Sequence, residues 1–429
     1  VNEIIGNTEQ KDGKLKINWF SNSPLVSTGY GNQTKYFTPL LRQLGYDVSI
    51  HAFYGHEPYS APFQWNGINI TGRGFHPYGL DVIAGHAKSI NADITLTLLD
   101  AWVFEPQVMK DIRWVSWFPV DHDPIPPAVL EKVRYAFDRI VYSRFGEKQM
   151  QDNDVPCHYV PHGTDTELFK PQDAEKRAQF QQMIGFPKDT FVVGMVAANK
   201  GYPSRKAFEE NIAAFKMLKE KHSDVLLYLQ TWTGEGGNDC VNLVDLCRDL
   251  GLQMGRDVVF CDQLMNNTTG FPDNYMAALY NSLDVLLSVS RGEGFGIPIL
   301  EAQASGCPVI VGDWTSMSEL CFGGWKVAKE DATRTYHTHM RSYWFVPKVE
   351  AIYEKLEAAY QMRGNMDYRT RARDGALPYD VRKVTQKYWK PVLEKIQDKI
   401  ELTNRLRAQV AMPVQQTAGK PIEVKEVTA

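Results

Sequence analysis

The chain has 429 residues, too many for most single hydrophobic cores, so two or three domains are expected. Its 43% hydrophobic and 23% charged residues are the composition of an ordinary soluble globular protein. Lys plus Arg is 47 against 51 acidic residues, a net charge of -4, which argues against a protein whose main task is to coat nucleic acid, since that task leaves a basic footprint. The 6 cysteines have no CxxC spacing and no zinc pattern, and they read as reduced, mostly packed thiols of a cytosolic protein. The start, VNEIIGNTEQKDGK, is polar, and no run reaches the apolar length of a membrane span. The expected location is cytoplasmic, with contact at the inner face of a membrane left open because an amphipathic surface needs no span.

In chain order, KLKINWF (Lys14 to Phe20) predicts a buried strand, and SNSPLVSTGYGNQTKYFTPLLRQLGYDVSI predicts a glycine loop, a helix and a strand. The same rhythm returns in ADITLTLLD, RWVSWF, RIVYSRFGEKQMQD and CHYVPHG. Strands alternating with helices mean parallel sheets covered on both faces, an α/β class. Pro161, Gly163 and Pro171 punctuate PHGTDTELFKP, which places the end of a first domain at 14–170. A second series, 171–380, opens with TFVVGMVAANKGYPSRKAFEENIAAFKMLKEK, where Phe208, Ile212, Phe215 and Leu218 mark one apolar helix face. Two doubly wound domains in tandem follow, and their carboxyl-end crevices are the natural place for a ligand. Val381, Val384, Tyr388, Trp389, Val392, Leu393 and Ile396 predict a helix over 381–402, kinked at Pro391. Residues 403–429 carry no sustained pattern and read as a loose tail.

The chemistry concentrates in RGEGFGIPILEAQASGCPVIVGD, Arg291 to Asp313, behind the apolar strand LDVLLSVS. Pro298 suits a first helical turn and Gly306 a helix end. Gly294 and Gly296 keep side chains off the backbone, so the amides of Phe295, Gly296 and Ile297 are free to face an anion at a helix start. Glu293 and Glu301 bracket that position. An isolated pair of glutamates at this spacing is usually solvated surface. The glycine loop between them points instead to hydroxyl-rich partners, such as the ribose and hexose of a nucleotide sugar.

The string SRGEGFGIPILEAQASGCPVI closely resembles the signature of the retaining glycosyltransferases of family 4, in the glycogen synthase and phosphatidylinositol mannosyltransferase superfamily. The resemblance runs from STGYG near the start, through PHGTDTELFKP, to the terminal helix. It implies GT-B architecture: two Rossmann-like domains facing a central cleft, with the C-terminal helix crossing back toward the first. It implies that Glu293 approaches the donor sugar, that Glu301 binds the ribose, and that Phe295, Gly296 and Ile297 line sugar and phosphates through backbone groups. In AANKGYPSRKAF, Lys206 takes the family lysine role with Arg205 beside it, neutralising the pyrophosphate. Asn199, counted among the donor-binding residues, stands where many relatives have arginine, so that one phosphate contact is either lost or supplied by Arg205. Basic groups at a helix start oppose the helix dipole, which itself favours an anionic ligand there.

By the same resemblance, Gly29 and Gly31 of SPLVSTGYG belong to a mobile glycine loop that lets phosphate and acceptor approach. SWFPVDHDPIPP brings Asp121, as first choice, or His122 near the reacting sugar. Backbone groups near Leu264 and Met265 close over the base, and Thr315, Ser316 and Met317 reach the phosphates or nucleotide. His162 sits at the domain junction.

The implied activity is transfer of a hexosyl group from a UDP- or GDP-sugar to an acceptor hydroxyl by same-face substitution. No prosthetic group and no essential metal are expected, although Asp121 and Asp123 have the D-x-D spacing of a metal site. The acceptor stays open among small sugars, lipid-linked glycans, polymers and modified DNA, and a homo-oligomer is open. The rival readings are a nucleotide-sugar epimerase or hydrolase, or a non-catalytic nucleotide-sugar-binding subunit.

Overall fold

The computed structural model describes residues 13–411, so the polar start and residues 412–429 of the expected tail lie outside the described residues. Strand β1 (Lys16–Asn22), helix α1 (Gly29–Gln43) and strand β2 (Asp47–Tyr54) open the chain. Strands β3 (Phe63–Trp65), β4 (Ile68–Gly72), β5 (Ile94–Leu98), β6 (Trp114–Phe118), β7 (Asp138–Val141) and β8 (His158–Tyr159) follow. They form one sheet in the order β3-β4-β2-β1-β5-β6-β7-β8. Every pair in it is parallel except β3 with β4. β5 (ITLTL) and β6 (WVSWF) are buried at every position, as strands covered on both faces must be.

The second sheet is built from β9 (Phe191–Val196), β10 (Val225–Gln230), β11 (Val258–Phe260), β12 (Val285–Ser288), β13 (Val309–Gly312) and β14 (Gly324–Val327). Its order is β11-β10-β9-β12-β13-β14, all parallel, so strand order reverses between β9 and β12. That reversal opens a crevice at the carboxyl ends of the two strands. Helix α2 (Phe208–Lys221) follows β9 and buries Phe208, Ile212, Phe215 and Leu218 completely. The short helix α3 (Gln263–Asn267) and α4 (Asp273–Ser282) precede β12, and α5 (Ile297–Ala304) follows it. A two-stranded antiparallel hairpin, β15 (Ala332–His337) and β16 (Ser342–Pro347), stands apart from both sheets.

The chain returns to the first lobe near its end. It is helical from Val381, passes through a wide π turn over Thr385–Trp389, and continues as α6 (Lys390–Ala411). Trp389 is fully buried against Trp19, Phe37 and Trp117, with ring centroids 5.8, 5.8 and 4.8 Å away. Lys399 Nζ reaches Asp138 Oδ2 of β7 at 3.0 Å.

Two expectations need correction here. The irregularity expected at Pro391 falls on the preceding turn: the wide π turn over Thr385–Trp389 makes room for the ring of Pro391, which has no amide to bond back into that turn. The tail does not loosen at residue 403 but stays helical through Ala411, because ELTNRLRAQVA is rich in helix formers although Leu402 and Leu406 are exposed. Among the described residues, no helix is long and apolar enough to cross a membrane.

Candidate active site

Glu293 sits in the loop after β12 and is only 5% exposed. Gly292 brings this loop against the first lobe: a Cβ there would collide with the Asp121 carbonyl oxygen. Gly296, at φ +107°, turns the chain into α5 with Pro298 in the first turn, a backbone conformation that L side chains rarely adopt. The orphan first-turn amides of α5 therefore begin directly behind the loop.

Arg205 and Lys206 come from the segment between β9 and α2, across the strand-order reversal from Glu293. Arg205 Nη1 donates to Glu293 Oε2 at 2.8 Å, and Lys206 Nζ donates to Oε1 at 2.5 Å. Arg205 also donates to the Gly292 carbonyl, and Ser290 Oγ donates to Glu293 Oε1 at 2.7 Å. Burial works against a charge on Glu293, but the two cations outweigh it and hold the carboxyl at about 2. Burial lowers the Lys206 ammonium below the ordinary lysine value, and Glu293 limits the fall.

Thr315 and Ser316 hold the loop rather than reach past it. The Glu293 amide donates to Thr315 Oγ1 at 3.1 Å, and the single proton of Ser316 Oγ is shared between the Glu293 and Phe295 carbonyls, 2.7 and 2.8 Å away. Thr315 has φ +51°, a strained setting for a β-branched residue.

The first lobe contributes the carboxyl ends of β5 and β6. Asp121 Oδ2 lies 3.8 Å from Arg205 Nε, and His122 Nδ1 donates to Asp121 Oδ1 at 2.6 Å. Burial opposes the charge on Asp121, but the His122 hydrogen bond and the Arg205 charge hold its carboxyl below the ordinary range. His122 Nε2 meets His337 Nδ1 of the hairpin at 3.1 Å, so both ring nitrogens are engaged and the side chain is only 3% exposed. Asp100 follows β5, and burial together with the Asp121 charge pushes its carboxyl up to about 6 against the pull of Arg205. Tyr30 and Tyr142 share a hydroxyl contact of 3.2 Å beside these groups.

Glu301 belongs to a second polar knot. Tyr280 Oη donates to Glu301 Oε2 at 3.0 Å, and burial pushes the Glu301 carboxyl up to about 8, with the nearby Asp273 charge adding to the rise and Lys35 opposing it. Lys35 of α1 and Asp273 of α4 pair between the lobes at 2.5 Å, and Tyr36 Oη donates to the same carboxylate at 3.2 Å. A cavity of ≈ 380 Å³ opens at this pair, between Pro24 to Ser27 on one side and Phe271 to Asn274 on the other. The Glu293 cluster fills its own space and does not line that cavity.

Several expected residues lie elsewhere or act differently. Gly29 and Gly31 are in the first turn of α1, not in a loop, because Thr28 caps the helix by accepting from the Gly31 amide at 3.0 Å. The Asn199 side chain is consumed by backbone: it donates to the Trp232 and Val241 carbonyls at 3.2 and 2.7 Å and accepts from the Val241 amide at 3.1 Å. Both of its amide protons are thus spent on backbone carbonyls, which leaves no donor for a phosphate. Leu264 and Met265 lie in α3 with exposed side chains, and the Met265 amide already donates to Asp262 Oδ1 at 2.8 Å. Met317 is wholly within the core, and Phe295 packs on Tyr142 and His162. Ile297 opens α5 and lies against Gly29 of α1, where an added Cβ would stand 3.1 Å from its Cδ1. His162 is buried, and that burial lowers its imidazole well below the ordinary value.

Sequence reasoning missed Asp100, Tyr30, Lys35, Tyr142, Asp273 and His337. The strand-end position of Asp100 was a usable signal, since ligands of such sheets gather there. Asp121 and Asp123 do not share a site: Asp123 Oδ2 pairs with Lys329 at 3.0 Å. Among the described residues no group of three or more His, Cys, Asp or Glu is placed to hold a metal ion.

A family model described as Glycosyl transferases group 1 matches residues 190–343. Over 160 residues the chain is 31% identical to the mannosylfructose-phosphate synthase of Agrobacterium fabrum, a match covering 36% of this chain and 32% of that protein. Over 189 residues it is 26% identical to a D-inositol 3-phosphate glycosyltransferase of Corynebacterium aurimucosum, covering 43% and 40% respectively. These matches span 32% and 40% of the length of those curated relatives. A glycosyltransferase from Rickettsia africae is similar over 90% of this chain and 99% of its own, with TM-score 0.64 and 16% identity. Anabaena HepE, solved with UDP-glucose, is similar over 88% and 99%, with TM-score 0.65 and 16% identity. At that identity the structural likeness carries the fold, and residues 190–343 carry the lineage. The chain has the GT-B fold, and its residues 190–343 are similar to the glycosyl transferases of group 1.

Proposed function

We propose that the protein is a retaining glycosyltransferase that moves a hexosyl group from a UDP- or GDP-sugar to an acceptor hydroxyl. The observation that carries this reading is Glu293, buried between Arg205 and Lys206 and facing Asp121 across the lobes. Breaking the bond from an anomeric carbon to a diphosphate places growing negative charge on the leaving oxygen. Arg205, Lys206 and the start of α5 stabilise that charge more in the transition state than in the ground state. The donor diphosphate competes with Glu293 for the two cations and frees its carboxylate to accept from hydroxyls of the donor sugar.

Asp121 faces the oxocarbenium-like carbon, and His122, with both ring nitrogens engaged, serves by holding Asp121. The acceptor hydroxyl attacks from the face the diphosphate leaves. Its oxygen bonds the anomeric carbon, its proton passes to the departing phosphate oxygen, and the configuration is kept. Glu301 and the cavity at Lys35 and Asp273 take the nucleoside end, with Glu301 toward the ribose hydroxyls. Contact between the lobes at Gly292 and Gly29 excludes water from the reacting centre. A lipid-linked acceptor would place the protein at the inner face of a membrane.

The test is nucleoside diphosphate release from a panel of UDP- and GDP-sugars, with and without small sugars, lipid-linked glycans, polysaccharide and hydroxymethylated DNA. Release that rises with one acceptor supports the transferase and identifies its acceptor class. Acceptor-independent release marks a hydrolase, an interconverted donor marks an epimerase, and binding without turnover marks a non-catalytic subunit.

A further inference from the structure

The hairpin β15–β16 grows from the donor lobe yet is tied to both sides of the cleft. On β16, the Tyr343 carbonyl accepts from the Asp123 amide at 3.2 Å, and two residues on the Phe345 amide donates to the Arg291 carbonyl at 3.0 Å. Ser342 Oγ donates to the Pro124 carbonyl at 2.5 Å, and Met340, in the turn, is buried with Phe118 and Val120 of the first lobe. One strand thus joins the loop that carries Asp121 to the loop that carries Glu293. At the end of β15 this anchoring brings His337 Nδ1 to His122 Nε2, with Trp344 stacked on the His337 ring at 3.9 Å.

We propose that His337 is a positioning residue, contributed by the donor lobe, that holds the His122 ring in the tautomer its bond to Asp121 requires and through it the orientation of the Asp121 carboxylate. The inference rests on the reading of Asp121 as the group beside the reacting sugar. His122 donates from Nδ1 to Asp121, which leaves Nε2 of the neutral ring as an acceptor. The only hydrogen-bond partner of Nε2 among the described residues is His337 Nδ1, so His337 supplies the proton of that bond. The charged and titratable groups facing the pair are Asp121 and Asp100 on the first lobe, Arg205 on the second, and His339 on the hairpin turn. Burial, His122 and His339 lower the His337 imidazole against the opposing charge of Asp121, which keeps it neutral and able to play this part. Because His337 belongs to the donor lobe, the relay exists only while the hairpin is docked.

The test compares His337→Phe, which keeps a ring on Trp344 but has no donor, with His337→Asn, which keeps a donor. In the full chain, H337F is expected to lower kcat about tenfold or more with donor KM changed less than about twofold, and H337N to recover most of the loss. Imidazole nitrogen NMR is expected to show His122 carrying its proton on Nδ1 in the wild type, and a displaced His122 Nε2 resonance in H337F, where that nitrogen has lost its donor. Unchanged His122 resonances in H337F overturn the proposal, as do changed resonances with unchanged kcat. An equal loss in H337N also overturns it, because that marks packing alone. If the wild type turns over no nucleotide sugar, the transferase reading fails separately, and the His122 spectra still decide whether His337 holds that ring.

Discussion

Lys206 Nζ and Glu293 Oε1 meet at 2.5 Å across the point where strand order reverses in the second sheet, one from the segment after β9 and the other from the loop after β12. With Arg205 on the other carboxylate oxygen, one buried anion is shared by two half-buried cations. The balance shifts when a diphosphate enters, because the ligand offers the cations a second source of negative charge.

Glu293→Gln therefore leaves Arg205 and Lys206 facing each other with only the more distant Asp121 carboxylate, 3.8 Å from Arg205, to offset them. Because both cations are part-exposed, the loss is expected below the range of a fully buried pair, at about 1–3 kcal/mol, readable by urea unfolding. The folded pKa of about 2 lies below the ordinary 4.5, so the stabilisation is present above pH 4.5 and is lost as pH falls toward 2. The variant lacks that acid loss, and pyrophosphate raises its Tm by more than it raises the wild type's. Equal shifts in both proteins would contradict the charge balance described.

On the proposed function, Lys206→Ala removes one of the two side chains that stabilise the leaving diphosphate and keeps the Arg205–Glu293 pair. Loss of one such stabiliser lowers kcat by about 10²–10³ with a smaller effect on donor KM, measured by steady-state release of nucleoside diphosphate. A change confined to KM would place Lys206 in ground-state binding only.

Glu301 gives a pH signature of the opposite sense. Its folded pKa of about 8 lies above the ordinary 4.5, so the folded state holds the extra proton between those values and stability falls as pH climbs through that window. Glu301→Gln, which mimics the protonated acid, is expected to match wild-type Tm near pH 4 and exceed it at pH 9. It also keeps most nucleotide affinity at pH 7, whereas Glu301→Ala loses it, as titration calorimetry with the nucleoside diphosphate would register. Unchanged affinity in the alanine variant removes Glu301 from the nucleoside end.

Asn199→Ala separates a structural role from a ligand role. The side chain makes three hydrogen bonds to backbone at Trp232 and Val241, and leaving those buried groups unsatisfied costs about 1–3 kcal/mol. The expected result is a lower unfolding midpoint with donor KM within about twofold of wild type. A large KM rise with unchanged stability would return Asn199 to the phosphate.

The alternating strands and helices were readable because buried parallel strands such as ITLTL and TFVVGMV are nearly continuous apolar runs. Arg205, Lys206 and Glu293 were readable because each sits in a short motif whose neighbours explain it. The Asp121–His122–His337 chain was not, since it joins residues 215 positions apart through a hairpin belonging to neither sheet. The choice between Asp121 and His122 likewise needed to know that His122 has both nitrogens occupied. Gly29 and Gly31 were read as loop because glycine next to Ser and Thr signals a turn, while the Thr28 cap that starts the helix there uses the same residues.

Proton NMR of the anomeric centre, recorded on the product formed from a nucleotide sugar of known configuration and the acceptor that stimulates turnover, tests the central claim most directly. The account predicts a product with the donor's anomeric configuration, formed in step with nucleoside diphosphate release and suppressed in Lys206→Ala. A product of inverted configuration, or nucleoside diphosphate released with free sugar as the only product, would contradict it.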